Sequence, residues 1–338
     1  MRKKVLALVM AGAMILSVTA CGKGETSNGD TSAKNDTVEA EGTEEAEDTQ
    51  AESESGSYKI AYVVKALNMQ FWTDMKAGAE ACAAENGVEL TFQAPDKESD
   101  VEIQVQMVEN AITSGVDALI LSAADSKALN PSIVKANEAG IPVILVNDTI
   151  DDAALEADGG HYETYVGIDQ YESAALAGKY CVENLEKGKV AILEGIPGIV
   201  AHEQRLEGFK DTVEEAGFEI VASQTANCDR NEAFNVAQNI LTSNPDVSIM
   251  WATNAEMGQG AIQAIEQLGK TGISVFDFDA SDDDMETIKA GTLVGTVDQY
   301  PSKQGEYAVN AAIAVIKGEK LDPITSVPAE LITKDNVK

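Results

Sequence analysis

The sequence predicts an α/β protein with two doubly wound, Rossmann-like parallel-sheet lobes. From Tyr58 onward, short apolar runs alternate strictly with stretches of helical periodicity, a pattern typical of parallel sheets with helices on both faces. The segment 58–338 is longer than one simple core needs, and the alternation falls into two successive sets. Polar and aromatic residues follow several predicted strands, as at the binding edge of such sheets.

The first set of elements predicts one lobe over residues 58–168. The run 118–122 is almost wholly apolar, as expected for a strand covered on both faces. Apolar residues at 101, 105, 108 and 112 share one helical face, and Asn86-Gly87 is typical of a helix end. The predicted strands are 59–64, 88–92, 118–122, 141–147 and 165–168, and the predicted helices are 71–85, 101–114 and about 126–140.

The second set repeats the pattern and predicts a similar lobe. Glycines at 217, 269, 291 and 318 stand just past apolar stripes, where helices commonly end. The predicted strands are 190–193, 219–222, 247–252, 273–276 and 293–297, and the predicted helices are 171–186, 203–216, 231–243, 257–268, 282–290 and 301–317. The last helix is long enough to return to the first lobe.

The amino-terminal segment predicts export and anchoring. Residues 1–20 combine a basic start, a short apolar run and small residues, which is typical of a signal peptide and too short to span a bilayer. Residues 18–21 are similar to a bacterial lipobox, in which Cys21 becomes the lipidated first residue. The alternative is an ordinary cleaved signal with an incidental cysteine. We expect a lipid-anchored protein on the extracytoplasmic face of the cell membrane, in the periplasm if the envelope has two membranes.

The composition predicts a disordered tether and disfavours two classes of ligand. With Cys21, the acidic stretch that follows makes 21–57 a lipidated, disordered linker, because it has too little apolar surface to bury. The net charge of −33 disfavours nucleic acid and anionic lipid as ligands. Three further cysteines, Cys82, Cys181 and Cys228, are expected as buried thiols, with a Cys181–Cys228 disulfide left open.

Enzyme chemistry finds little support in the sequence. We find no hydrolase elbow, zinc-protease motif, phosphate loop or dinucleotide fingerprint, and hence no cofactor motif. Asp277 and Asp279 could mimic the carboxylate pair of a glycosidase, and the acidic run 277–284 lacks the spacing of a calcium loop. His161 and His202, the two histidines, are expected at the surface.

The chain resembles the ribose-binding-protein group of type I periplasmic-type solute-binding proteins of ABC importers, over nearly all of 58–332. The motifs that carry the resemblance are Asn68-Met69-Gln70-Phe71-Trp72, Ile141-Pro142-Val143-Ile144, Gly167-Ile168-Asp169, Glu203-Gln204-Arg205, Cys228-Asp229-Arg230, Ala252-Thr253-Asn254, Phe278-Asp279 and Asp298-Gln299-Tyr300-Pro301. It implies an N-terminal lobe of 58–168 plus 300–322 and a C-terminal lobe of 169–299 plus 323–338. Three hinge strands are expected near residues 168, 278 and 299.

The same resemblance implies a binding protein, without enzymatic activity or cofactor, that takes a monosaccharide or polyol into a cleft between the lobes. A monomer would deliver it to the permease subunits of an ABC importer. A ligand sensor or autoinducer-type binding protein of the same fold remains the alternative. The implied ligand residues are Asn68, Phe71, Trp72, Asn147, Asp148, Arg205, Asn254, Asp279 and Gln299.

Departures from the group leave the sugar open. Asn147-Asp148 stands where ribose binders typically have Asp-Arg, Met69-Gln70 replaces an Asn-Pro step, and Cys228 occupies a common aromatic wall position. The pocket therefore has the group's frame with its own lining.

Overall fold

The computed structural model describes residues 57–338. The predicted signal peptide, the lipidation at Cys21 and nearly all of the predicted linker lie outside the described residues. Within residues 57–338, no helix combines the length and the apolar character that crossing a membrane requires.

Strands and helices alternate along the chain, as predicted. The strands are β1 Lys59–Val63, β2 Glu89–Gln93, β3 Ala118–Leu121, β4 Val143–Val146, β5 Thr164–Gly167, β6 Lys189–Glu194, β7 Glu219–Thr225, β8 Val247–Ala252, β9 Ser274–Phe278, β10 Gly295–Asp298, β11 Ile324–Ser326 and β12 Glu330–Thr333. The helices are α1 Gln70–Asn86, α2 Val101–Ser114, α3 Asn130–Glu138, α4 Asp152–Ala157, α5 Gln170–Asn184, α6 Val200–Glu215, α7 Arg230–Ser243, α8 Ala255–Gln267, α9 Asp282–Ala290 and α10 Pro301–Ile316.

The strands form two six-stranded sheets, one in each lobe. The first sheet has the order β11-β5-β4-β3-β1-β2 and is parallel throughout. The second has the order β12-β10-β9-β8-β6-β7, with only β12 antiparallel to its neighbour. Strands β3, β4 and β5 are buried at every position, because helices cover both faces of the first sheet.

The carboxyl-terminal segment divides between the lobes. We expected 323–338 to lie wholly with the second lobe, but β11 pairs with β5 in the first sheet and β12 with β10 in the second. The chain thus crosses between the sheets after β5, after β10 and between β11 and β12. The hinge expected near Phe278 is wrong, since β9 and β10 are neighbours in one sheet.

Helix α10 returns to the first lobe, as expected, and packs against α1. Glycines allow the two backbones to touch: a Cβ at Gly78 would stand 2.0 Å from the carbonyl oxygen of Ser302, and one at Gly305 would stand 2.1 Å from that of Met75. Helix α10 lies over β3, β4 and β5, and α1 lies against β2, so together they cover one face of the first sheet. The carboxyl ends of the parallel strands in both sheets then border one interlobe cleft.

Candidate functional site

A narrow cavity, partly open to solvent, lies between the lobes. The first lobe contributes residues that follow β1, β2 and β4, and the second contributes residues from helix starts and strand ends. The lining residues are Lys65, Met69, Phe71, Trp72, Glu98, Asn147, His202, Arg205, Cys228, Asn254, Asp279 and Gln299. Seven of the nine predicted ligand residues are therefore brought together, and the other two, Asn68 and Asp148, lie elsewhere.

Asn68 is exposed and lines a wider hollow beside the cavity, together with Lys97, Ser99 and Asn227. Its neighbour Met69 lines both spaces. The structure thus places Met69, rather than Asn68, at the inner end of the predicted motif.

Asp148 is fully buried behind the cavity wall. It accepts hydrogen bonds from Ser122 Oγ at 2.5 Å, Lys65 Nζ at 3.0 Å and Asn147 Nδ2 at 3.1 Å. Its carboxylate therefore positions Lys65 and Asn147, both of which line the cavity. This arrangement makes Asp148 a positioning residue for the first-lobe wall.

Lys65 and Glu98 place opposite charges on that wall. Burial alone would lower the pKa of Lys65, but Asp148 and Glu98 outweigh it and raise the pKa, so the ammonium group stays charged. Burial raises the pKa of Glu98, against the opposing effect of Lys65. Glu98 Oε1 accepts a hydrogen bond from Trp72 Nε1 at 2.7 Å, and Oε2 lies 3.9 Å from Lys65 Nζ.

Phe71 and Trp72 form an aromatic wall at the start of α1. Both side chains are buried, and their rings meet edge to face with centroids 4.7 Å apart. We expected at least one of these adjacent rings to face the cleft, and both line the cavity.

Arg205 is fixed within the second lobe. Its Nε donates to Gln170 Oε1 at 2.8 Å, and Nη1 donates to the Thr253 carbonyl at 3.1 Å. The guanidinium carbon lies 4.1 Å from the centroid of the Phe278 ring. These contacts hold a buried cation at the cavity with a defined orientation.

Asp279 completes the second-lobe charge pair. Its Oδ1 accepts from Gln299 Nε2 at 2.7 Å and from Arg205 Nη1 at 3.4 Å. Burial raises the pKa of Asp279, and Arg205 and the Gln299 bond oppose that rise. Asp279 has a φ of 99°, a strained value for a non-glycine residue and one that recurs at functional sites.

Asn254 both caps a helix and faces the cleft. Its Oδ1 accepts from Met257 N–H at 3.0 Å at the start of α8. Its Nδ2 lies 3.7 Å from the sulfur of Met69 in the other lobe, which is a weak acceptor. The amide nitrogen is therefore available to a better acceptor.

Five lining residues were not among the predicted ligand residues: Lys65, Met69, Glu98, His202 and Cys228. His202 was expected at the surface, but it is 6% exposed because the first turn of α6 folds its ring against the Gly195 turn. The sequence did contain an indication for Lys65, because a charged residue directly after a buried central strand is expected at the binding edge of the sheet. Glu98 lies in a loop without periodicity.

All three cysteines of the described segment are free and buried, so the disulfide left open between Cys181 and Cys228 is absent from it. Cys228 has a φ of 58° and lies against the His202 ring.

The chain matches a known protein family and two similar proteins of known ligand. The family described as periplasmic binding protein domain matches residues 60–320. The chain is 35% identical over 286 residues to the ribose import binding protein of Bacillus subtilis, covering 83% of this chain and 90% of that one. It is 34% identical over 283 residues to the D-ribose/D-allose-binding protein of Pseudomonas aeruginosa, covering 81% and 88%.

A solved structure shares the whole two-lobed arrangement. It is an ABC transporter periplasmic solute-binding protein from Actinobacillus succinogenes with bound D-allose, at a TM-score of 0.80 and 36% identity. The match covers 83% of this chain and 99% of that one.

Proposed function

This chain belongs to the periplasmic binding protein family, and from that premise we propose that it captures a monosaccharide or related polyol for an ABC importer. The proposal extends to this chain the ligand class named for its relatives, ribose and allose. Family and relatives are binding proteins, and an extracytoplasmic location follows from the family. The ligand would leave the cleft chemically unchanged.

The observation that carries the proposal is the pairing of donors and acceptors around the cavity. Lys65 lies beside Glu98 in the first lobe, and Arg205 lies beside Asp279 in the second. A hydroxyl group both donates and accepts, so vicinal hydroxyls match such pairs. The faces of Phe71 and Trp72 suit the apolar C–H face of a sugar ring.

Contacts across the cleft support capture by closure. The side-chain oxygen of Gln70, in the first lobe, accepts from the Asp282 N–H of the second lobe at 2.9 Å. Together with the approach of Asn254 to Met69, this bond exists only when the lobes are near each other. Closure would bury the ligand and present paired lobe faces to the permease.

Anchoring and assembly are part of the proposal. A lipid on Cys21 and a linker over 21–57 would tether a monomer to the outer face of the membrane. Import is favoured over the sensor or autoinducer-type alternative, because the similar protein of Bacillus subtilis is an import binding protein.

A thermal-shift screen against monosaccharides and polyols tests the proposal. A ligand at 100 times its dissociation constant adds about 2.7 kcal/mol of stability, which corresponds to a rise of roughly 5–10 °C in Tm. Arg205→Ala should remove the shift, whereas Arg230→Ala, a matched change in a surface ion-pair cluster, should keep it. Absence of a shift with every sugar and polyol would overturn the proposal.

A further inference from the structure

Glu98, His202 and Cys228 form a buried polar corner of the cavity, to which the two lobes both contribute. Glu98 lies between β2 and α2 in the first lobe, whereas His202 and Cys228 belong to the second. One polar atom from each lies within 4.8 Å of the other two, and the three residues are 6–9% exposed. Such a corner forms only when the lobes are together.

The hydrogen bond to His202 fixes which nitrogen carries its proton. The Ile196 N–H donates to His202 Nδ1 at 3.0 Å, so Nδ1 is an acceptor. Burial lowers the pKa of His202 well below its usual value, and Lys65 and Arg205 add to that effect. The neutral ring therefore carries its proton on Nε2, which is a donor. The sulfur of Cys228, a weak acceptor, lies 3.8 Å from Nε2.

The opposing group is a carboxylate oxygen without a partner. Glu98 is 93% buried, with Oε1 held by Trp72 and Oε2 lacking any hydrogen-bond partner within residues 57–338. A buried acceptor left unpaired is destabilising, so this oxygen favours a ligand group that donates to it. A ring nitrogen of His202 and a carboxylate oxygen of Glu98 lie within 4.8 Å of each other, so one oxygen placed about 2.8 Å from each can contact both.

The residue types also suit zinc, but the polarity of their surroundings does not. A histidine that binds a metal usually donates its other N–H to a carbonyl or carboxylate, whereas here a backbone N–H donates to Nδ1. Lys65 Nζ, a cation, lies 3.9 Å from the free Glu98 oxygen. Both features oppose a second cation and favour a neutral group that donates and accepts.

We propose that Glu98 and His202 hold one ligand hydroxyl between the lobes. His202 Nε2–H donates to the hydroxyl oxygen and Glu98 Oε2 accepts its hydrogen, so the pair selects sugars or polyols with a hydroxyl at that position. The inference rests on the proposed function and adds a specificity determinant from each lobe. Cys228, with a small side chain at a wall position, leaves room for the His202 ring.

Two substitutions at His202 separate its structural role from its role toward the ligand. In His202→Asn, the amide oxygen can replace Nδ1 as acceptor for Ile196 N–H, and nothing replaces Nε2–H. In His202→Gln, the amide nitrogen reaches the position of Nε2. His161→Asn is the matched control, since His161 is the other histidine and its side chain is 65% exposed.

The measurement is calorimetric binding of D-ribose, D-allose and xylitol, followed by the monodeoxy analogues of whichever probe binds most tightly. In the wild type, one analogue should bind at least about tenfold more weakly than its parent. In His202→Asn, parent and analogue should bind with equal affinity. In His202→Gln, part of the affinity difference should return, and in His161→Asn the full wild-type difference should remain. Glu98→Gln gives a second test, because Gln keeps the acceptor for Trp72 and replaces Oε2 with a donor.

The possible outcomes separate the two proposals. If a probe binds and every deoxy penalty persists in both His202→Asn and Glu98→Gln, the hydroxyl bridge is wrong while sugar capture stands. If no sugar or polyol binds, sugar capture fails and the bridge fails with it. Zinc chloride that binds the sugar-free wild type and not Cys228→Ser would also overturn the bridge, in favour of a metal site.

Discussion

Arg205 is positioned before any ligand arrives. Gln170, the Thr253 carbonyl and the Phe278 ring hold the guanidinium within its own lobe. Because little side-chain freedom is left to lose, hydrogen bonds from this group to a ligand come at a low entropic cost. The same reasoning applies to Asp279, which Gln299 holds from the adjacent strand end.

Replacing either member of this pair should weaken ligand binding. We expect Arg205→Ala and Asp279→Ala each to reduce affinity by roughly 10- to 100-fold, since a hydrogen bond to a charged group contributes about 1.5–3 kcal/mol. Calorimetry with the sugar identified in the screen measures the effect. Arg230→Ala, which disrupts only the cluster with Glu256 and Asp283, is the control. Unchanged affinity in both cavity variants would contradict the site assignment.

Two buried acids of the second lobe, Asp277 and Asp284, make the stability of the fold depend on pH. Asp277 is fully buried with neither carboxyl oxygen hydrogen-bonded within the described residues. Burial, reinforced by Asp284, raises its pKa well above the usual value, and burial raises the pKa of Asp284 to about 6. The folded protein therefore binds protons that the unfolded chain releases near pH 3.8, and stability falls as pH rises from that value through the raised pKa values.

Asp277→Asn should remove part of the loss of stability that the wild type shows as pH rises. We expect the variant to gain stability relative to the wild type as pH rises from about 4 to about 8, measured by urea unfolding at each pH. Asp246→Asn is the control of opposite sign, since an exposed bond to Lys189 lowers the pKa of Asp246. A stability difference independent of pH would show that folding does not raise the pKa of Asp277.

The sequence was informative where a side chain follows an apolar strand, and less so elsewhere. Asn147, Asn254 and Asp279 follow buried strands, so their grouping could be predicted from parallel topology and the family motif. Glu98 and His202 come from a loop and a helix turn, where no periodic pattern indicates which side chain faces inward. Their meeting depends on the distance between the lobes, which residue spacing does not encode.

At the scale of elements, strongly buried strands were predicted well and edge strands were not. β3, β4 and β5 are continuous apolar runs. β11 has three residues, none of them buried, and β12 has one buried residue among four, so neither carries a pattern that distinguishes it from loop. Because β11 joins the first sheet and β12 the second, the third crossing between the lobes lies between them. The predicted third crossing, near residue 278, was therefore wrong.

The contact between α1 and α10 depends on glycine. At Gly78 an added Cβ would meet a backbone oxygen at 2.0 Å, so Gly78→Ala should destabilise the protein by roughly 1–3 kcal/mol by forcing the helices apart. Alanine is otherwise the better helix former by about 1 kcal/mol. Ala81→Gly, at an exposed position of the same helix, should therefore also destabilise, which makes it the matched control for propensity.

Urea unfolding of the two variants measures both effects. Glycine is the stabilising residue at position 78 and alanine at position 81, so the preference for the two residue types reverses along one helix. Greater stability of Gly78→Ala than of the wild type would contradict the close helix contact.

At the scale of the whole molecule, three crossings connect lobes that also touch across the cleft. The crossings follow β5, follow β10 and join β11 to β12, and all lie along one side of the paired sheets. Short connections of this kind permit rotation of one lobe against the other. The balance between open and closed forms then depends on the contacts at the mouth of the cleft, of which the bond from Asp282 N–H to Gln70 is one.

Gln70→Ala should shift that balance toward the open form. The lost bond contributes about 0.5–1.5 kcal/mol, which corresponds to a roughly 2- to 10-fold weaker affinity for a ligand that binds the closed form. Gln70 does not line the inner cavity, so the loss should appear as a larger radius of gyration in sugar-free solution, measured by small-angle scattering. Asp74→Asn is the control, because Asp74 accepts from the Gln70 amide within one lobe and leaves the bond across the cleft in place. An unchanged radius and affinity in Gln70→Ala would mean that the ligand alone, and no direct contact between the lobes, holds the closed form together.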